Sequence, residues 1–277
     1  LPDGRALELG ARTLVMAVVN VTPDSFSDGG VRFDAARAIE DGERMVADGA
    51  DLLDIGGEST RPGAEPLPEE EELRRVLPVV AGLRSRVAVP ISIDTYKAAV
   101  AGRAFEAGAT IVNDISALTY DPALATVVAD LGAAVILMHN RGRSSAMYEN
   151  ASYAEVVSEV SAELQARANA AIAAGIRRER IILDPGLGFA KQASHTLEAL
   201  AGFKRFEALG YPLLAGPSRK SFLKAALGDV PPGDRIWGTA AAVAASVVFG
   251  AHIVRVHDVR EMVQVVRVTD SIMAHAS

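Results

Sequence analysis

The sequence predicts an α/β fold: eight parallel strand–helix units closed into a (β/α)8 TIM barrel. Three observations carry this. Short apolar runs recur eight times along the 277 residues. Each run is continuous rather than alternating, as expected for parallel strands covered on both faces. The runs are separated by loops and helix-like segments, over the roughly 250 residues that such a barrel takes. The alternative is a doubly wound open sheet, which usually shows a glycine fingerprint after its first strand. Here that strand runs into Asn20-Val21-Thr22-Pro23 instead. No linker or low-complexity tract interrupts the pattern, so residues 1–277 read as one barrel domain.

The elements follow in order. Residues 14–19 form the first strand. In the helix at 33–48, Ala36, Ile39, Met45 and Val46 are the apolar positions, and Gly49 is the stop. Residues 52–55 are the second strand. The helix at 69–85 opens with four glutamates, favourable against the helix dipole, and Pro78 is expected to kink or divide it. Residues 88–93 and 110–112 are strands three and four, with a helix at 97–107 between them that ends at Gly108. A helix at 122–131, with Asp121 as cap and Pro122 at its first position, leads to strand five at 135–138. The amphipathic helix at 154–174 ends at Gly175 and precedes strand six at 181–183. A helix at 195–209 stops at Gly210 before strand seven at 212–214. Residues 231–233, Pro-Pro-Gly, are a loop between two helices. The Ala-rich stretch 238–254 is too weakly hydrophobic to span a membrane, and Gly250 and His252 break it. It reads as a buried helix running into strand eight at 253–256.

Composition narrows the function classes. The formal net charge is −7, which disfavours a global attraction to nucleic acid or anionic membrane, so any anion site must be local. There is no cysteine, which excludes disulfides, thiolate catalysis and zinc–thiolate sites and fits a reducing cytoplasm. Residues 1–12 lack the apolar core of a signal peptide.

In a barrel, the C-terminal strand ends carry the active site. Those ends hold Asn20, the run from Asp54 to Arg61, Asp94, Asn113-Asp114, His139-Asn140, Asp184, Ser218-Arg219-Lys220, and Arg255 with His257. Singly, each has a structural reading: Asp94 as a helix cap, Asp184 as a turn former, His257 as a satisfied rim residue. Together they are harder to dismiss, because a purely structural barrel needs no convergent charges at one mouth. Asp94, Asn113 and Asp184 complement a flat, donor-rich heterocycle such as an aminopyrimidinone. Lys220, Arg255, His257 and Ser218 offer charge and donors to phosphate or carboxylate. In LLAGPSRKS, an apolar run delivers Ser218, Arg219 and Lys220 where a helix could begin, so a helix N-terminus is expected to add to the anion site. Asn20 can reach an oxygen-ligated metal. Residues 21–33 and 58–68 are long βα connections and are expected to be mobile lids after strands one and two.

Seven ordered blocks in this chain resemble the dihydropteroate synthases, the pterin-binding barrels of folate biosynthesis that sulfonamides inhibit. They are NVTPDSFSDGG from Asn20, DIGGESTRPGAEP from Asp54, ISIDTYKAAVA from Ile91, VNDISAL from Val112, ILDPGLGFAK from Ile182, GPSRKSF from Gly216 and RVHDV from Arg255. The resemblance implies a homodimeric barrel enzyme. In it, p-aminobenzoate displaces diphosphate from 6-hydroxymethyl-7,8-dihydropterin diphosphate, with Mg2+, to give 7,8-dihydropteroate. It implies a pterin pocket of Asp94, Asn113, Asp184 and Lys220, with Met138 on the ring face. It places Asn20 on Mg2+, and Thr60, Arg255 and His257 on diphosphate. Arg61, Ser221 and Phe189 would help form the p-aminobenzoate site, with Asp28 on the first loop; Asp28, Arg61 and Lys220 would act closest to the chemistry. Three other readings stay open. A corrinoid-dependent pterin methyltransferase shares the Asp/Asn contacts but has no need of an anion cage. A binding-only homologue would be expected to lose some loop or anion residues, and none are missing here. A Schiff-base aldolase using Lys220 would need that lysine in an apolar pocket.

Overall fold

A computed structural model describes residues 1–21, 31–59, 63–143 and 148–275, with side chains left out at 31–34. Eight strands form one parallel sheet: β1 Leu14–Asn20, β2 Leu52–Gly56, β3 Ile91–Asp94, β4 Ile111–Asp114, β5 Ala134–Met138, β6 Ile181–Asp184, β7 Leu214–Ala215 and β8 Ile253–Val256. Their order is β6-β5-β4-β3-β2-β1-β8-β7, and a parallel bridge between Leu183 and Leu213 joins the two edges into a barrel. The helices between them are α1 Val31–Ala47, α2 Glu69–Arg84, α3 Ala98–Ala107, α4 Leu124–Asp130, α5 Val156–Ala173, α6 Ala193–Ala201, the short α7 Lys224–Leu227, α8 Ile236–Val248 and α9 Val259–Ala274.

Period-two alternation divides the core. Leu14, Met16, Leu52, Ile111, Ala134, Ile136, Ile182, Leu214 and Ile253 fill the barrel interior, and Leu1, Leu7 and Leu9 pack against them. The intervening positions, such as Val15, Ala17, Leu53, Ile55, Val135 and Leu137, face outward into the layer shared with the helices.

Several expectations shift. α4 begins at Leu124 with Ala123, not Asp121, at its N-cap, and β7 is Leu214–Ala215 rather than 212–214. β3 begins at Ile91, not at 88, because Pro90 has no N–H for the ladder; its carbonyl still accepts from Leu53 N at 3.1 Å. Pro78 lies inside α2 without dividing it. The helix expected at 195–209 is two elements, α6 and a 3-10 helix Phe203–Leu209, which part at Gly202. Among the described residues no helix is long and apolar enough to cross a membrane; 238–254 resolves into α8 and β8. The lid expectation falls mainly on residues 22–30 and 60–62, which lie outside the described residues, as do Asp28, Thr60 and Arg61.

Candidate active site

The alternation that points Leu52 and Ile253 into the barrel also points Asp54 and Arg255 inward, one layer higher. Register then sets Asp94 level with Gly56 and Asn113, and Met138 level with Asp184. The interior thus changes from apolar at its floor to charged at the C-terminal mouth. A pocket there is lined by Asp94, Asn113, Ile115, Met138, Asp184, Leu187, Phe189, Gly216, Lys220 and Arg255. Another concavity, of about 400 Å3, lies around Arg84, Phe105 and Leu131 beside the start of β4, away from these converging groups.

Arg255 organises the polar wall. Its Nε donates to Asp54 Oδ2 at 2.6 Å and its Nη2 to Asp94 Oδ2 at 2.7 Å. Asn113 Nδ2 donates to the same Asp54 oxygen at 2.9 Å. Asp94 is therefore no helix cap: the first turn of α3 is held instead by Asp121, whose Oδ2 accepts from Ala98 N at 2.7 Å. Asp54 is fully buried; it stood among the strand-end polar residues but was given no role in the ring pocket. Its alternation with Leu52 was the signal that could have found it. Its Oδ1, and the Oγ of its register partner Ser92, have no partner among the described groups.

Asp184 serves two purposes. Its Oδ1 accepts from Gly186 N at 2.7 Å, as the turn reading expects, while the carboxylate lines the pocket. Burial pushes its pKa up to about 6, against the Gly186 N–H and the Lys220 charge. Burial likewise raises Asp94, to about 7, with Arg255 pulling it back. Lys220 is driven down to about 7, by burial first and then by Arg255. Its Nζ sits 3.7 Å from the centre of the Phe189 ring, a cation–π contact. Tyr96, Ile115, Met138 and Phe189 form the apolar cluster beside this, with Tyr120 against it. The pocket therefore pairs apolar surface with two carboxylates, an amide and two cations. About 20 Å3 of it is free, room for one water.

The anion residues need revision. His257 is not a ready cation: burial, then Arg255 and Arg219, push it down to about 3. Its Nδ1 lies 3.0 Å from Ser218 Oγ. With Ser218 donating there, the neutral ring keeps Nε2–H as a donor. Arg219 turns away and forms an ion pair with Asp258, Nε to Oδ2 at 3.0 Å. The expected helix N-terminus is slight: a 3-10 turn Ser221–Leu223 leads into the four-residue α7. Side chains, not a macrodipole, must hold an anion there. Ser221 is exposed beside Lys220, and Asn20 is half-buried at the end of β1. Arg235 Nη1 braces the turn through the carbonyls of Arg219 and Lys220, at 2.9 and 3.2 Å.

Glu58 clasps the root of the loop after β2. It accepts from Leu67 N at 3.1 Å, from Tyr96 Oη at 2.9 Å and from Lys97 Nζ at 2.5 Å. Lys97 also bonds buried Glu72, a cluster that sequence reasoning missed because its members come from three separate elements.

Comparison with known proteins agrees with this geometry. Residues 16–257 match the family model described as pterin binding enzyme. The chain is 45% identical over 273 residues to the dihydropteroate synthase of Synechocystis sp., covering 98% of this chain and 94% of that protein. It is similar to the Xanthomonas albilineans dihydropteroate synthase solved with 4-aminobenzoic acid: TM-score 0.90, 44% identity, 95% and 94% of the two chains covered. The same Xanthomonas enzyme in complex with 7,8-dihydropteroate superposes with TM-score 0.89 at 42% identity, over 98% and 97% of the chains.

Proposed function

Since this chain belongs to the pterin-binding enzyme family, we propose that it is a dihydropteroate synthase, a transferase of folate biosynthesis. The observation that carries the reading is the pocket itself. Asp184 and Asn113 are placed to read the N–H and carbonyl edge of a pterin ring, beside Met138 as an apolar face. Arg255, Lys220 and the Nε2–H of His257 would meet the charge that gathers on a leaving diphosphate. p-Aminobenzoate, at a rim of Phe189, Ser221 and Arg61, would attack the exocyclic methylene through its amine nitrogen. As the C–O bond to diphosphate breaks, the electron-rich dihydropterin would carry positive charge on the methylene; the C–N bond would then form, and the amine's proton would pass to the departing diphosphate. An aryl amine attacks as a neutral nucleophile, so no strong base is required. The protein's share is to hold the ring, meet the developing charge and exclude water.

Magnesium fits this scheme as a partner of the diphosphate. Mg2+ takes oxygen ligands, keeps several waters and commonly uses one or two protein groups plus substrate phosphates. Among the described residues no cluster of three or more His, Asp or Glu forms a metal cage, and the Asn20 amide oxygen at the mouth suits the lesser role. When bound, the ion would neutralise leaving-group charge. Thr60 would add a donor to diphosphate, and Asp28 would act from the first loop. The homodimer follows the family resemblance; Trp237 on α8 and Val268 and Ile272 on α9 are exposed large apolar residues that such an interface would draw on. Following the family resemblance, the reaction is placed in the cytoplasm.

The deciding assay is diphosphate release in the presence of the pterin diphosphate, p-aminobenzoate and Mg2+. Release is expected only when both organic substrates are present. Release without p-aminobenzoate, or none at all with both, overturns the reading.

A further inference from the structure

The turn between β6 and α6 carries Leu187 and Phe189 into the pocket, yet its backbone is one that local preference does not hold. Gly186, Gly188 and Ala190 have φ of +68°, +79° and +45°. Left-handed conformation at an alanine persists only where the surroundings impose it. The surroundings here are specific. Lys191 is 2% exposed, and its Nζ lies 3.1 Å from the carbonyl oxygen of Gly186, 3.2 Å from that of Phe189 and 2.9 Å from Nδ1 of His139. An ammonium has three donors and no acceptor, so these three acceptors match it in number and kind. Nδ1 of His139 must then be bare, which puts the ring proton on Nε2. That nitrogen lies 3.0 Å from Glu163 Oε2 and donates to it. Tyr153 Oη adds a fourth hold, donating to the Ala190 carbonyl at 2.9 Å.

We propose that Lys191 is a positioning residue for the reaction: with His139 and Glu163 it forms a buried relay that fixes the turn 186–190, and through it Phe189 and Asp184. The link to Asp184 is direct, since the Gly186 whose carbonyl Lys191 holds is the residue whose N–H binds the Asp184 carboxylate. The link to Phe189 runs through its own carbonyl. The Phe189 ring is in turn the surface on which Lys220 rests. None of the three relay side chains lines the pocket. The charged groups around the relay are Arg141, which shares Glu163, together with Asp184 and Lys220. Burial drives Lys191 down to about 7, with Asp184 pulling it back up, so the three-donor ammonium is the dominant form below neutrality. Burial holds His139 neutral, down to about 4, in keeping with the single ring proton that the geometry requires.

The inference rests on the synthase reading, and its test separates the two. Wild-type diphosphate release tests the reaction; variants are compared with that rate, and one measurement uses no substrate. In His139→Asn, the amide oxygen can stand where Nδ1 accepts from Lys191, whereas His139→Leu removes that acceptor; both lose Glu163. His139→Asn should keep the KM for p-aminobenzoate within about twofold of wild type, while His139→Leu and Lys191→Met raise it roughly tenfold, the scale of one buried hydrogen bond left unmade. Thermal melts identify any variant that has simply unfolded. Independently, 15N-detected histidine spectra of the wild-type protein should show His139 as the Nε2–H tautomer at pH 6, where Lys191 is protonated and the ring neutral, with the Nδ1 resonance shifted in Lys191→Met. The proposal is overturned by an Nδ1–H tautomer in the wild type. Unchanged KM in folded Lys191→Met, or equal impairment of the two His139 variants, overturns it as well.

Discussion

Replacing Arg255 by methionine tests the polar wall of the barrel. Met keeps much of the apolar stem and removes the guanidinium. Two charge-assisted hydrogen bonds vanish, to Asp54 at 2.6 Å and to Asp94 at 2.7 Å. Their carboxylates remain: Asp54 is fully buried and Asp94 is 13% exposed at its side chain. Breaking a buried pair by removing one partner costs about 3–5 kcal/mol, since the other charge is left uncompensated. The Arg255 side chain keeps 19% exposure at the mouth, so water shares the load and the lower end, about 3 kcal/mol, is expected at pH 8. The sign with pH follows from the carboxylates. Without Arg255, Asp94 loses the charge that pulls its pKa down, so its folded value rises further above the unfolded one. A carboxylate with a raised folded pKa destabilises the fold above that pKa, and the cost is lost as pH falls and the group binds a proton. The deficit of Arg255→Met should therefore shrink from pH 8 to pH 5. Urea unfolding of both proteins at the two pH values reads it directly. A variant as stable as wild type at pH 8, or a deficit that grows on acidification, refutes the counterion argument.

Three further outcomes are expected. Asp184→Asn should weaken pterin binding by about 2–4 kcal/mol in calorimetry, the loss of a buried charged partner. In wild type, affinity should rise with pH up to about 6, where Asp184 ionises, and level off above it; a pH-flat wild type removes Asp184 from ring recognition. Gly186→Ala places a Cβ 2.1 Å from the His139 carbonyl oxygen at a φ of +68°, so it should destabilise by about 2–5 kcal/mol, and a wild-type melting curve would show that the turn can relax. p-Aminobenzoate should bind weakly to the free protein and about 1–3 kcal/mol more tightly once a pterin, diphosphate and Mg2+ are present, with Asp28→Ala lowering turnover but not pterin affinity. Equal affinity of labelled p-aminobenzoate in both conditions defeats the ordered scheme.

Much of this protein was legible in one dimension. Parallel strands buried on both faces write themselves as continuous apolar runs, and all eight runs became strands, with bounds shifted where Pro90 lacks an N–H or Gly202 divides a helix. Polar residues at the ends of those runs pointed to one mouth, because parallel strands all finish on the same side. What tertiary structure alone decided is which groups meet and in what charge state. Asp54 and Arg255 lie 201 residues apart, and no local pattern pairs them; closing β1 between β2 and β8 does. Lys191 ends the ILDPGLGFAK block with no local pattern to mark its role; only folding brings it against His139 at the end of β5 and the Gly186 carbonyl. Protonation followed the same rule. His257 is neutral and Asp184 and Lys220 titrate near neutrality because the interior withholds water, and a sequence does not record how far a side chain stands from solvent.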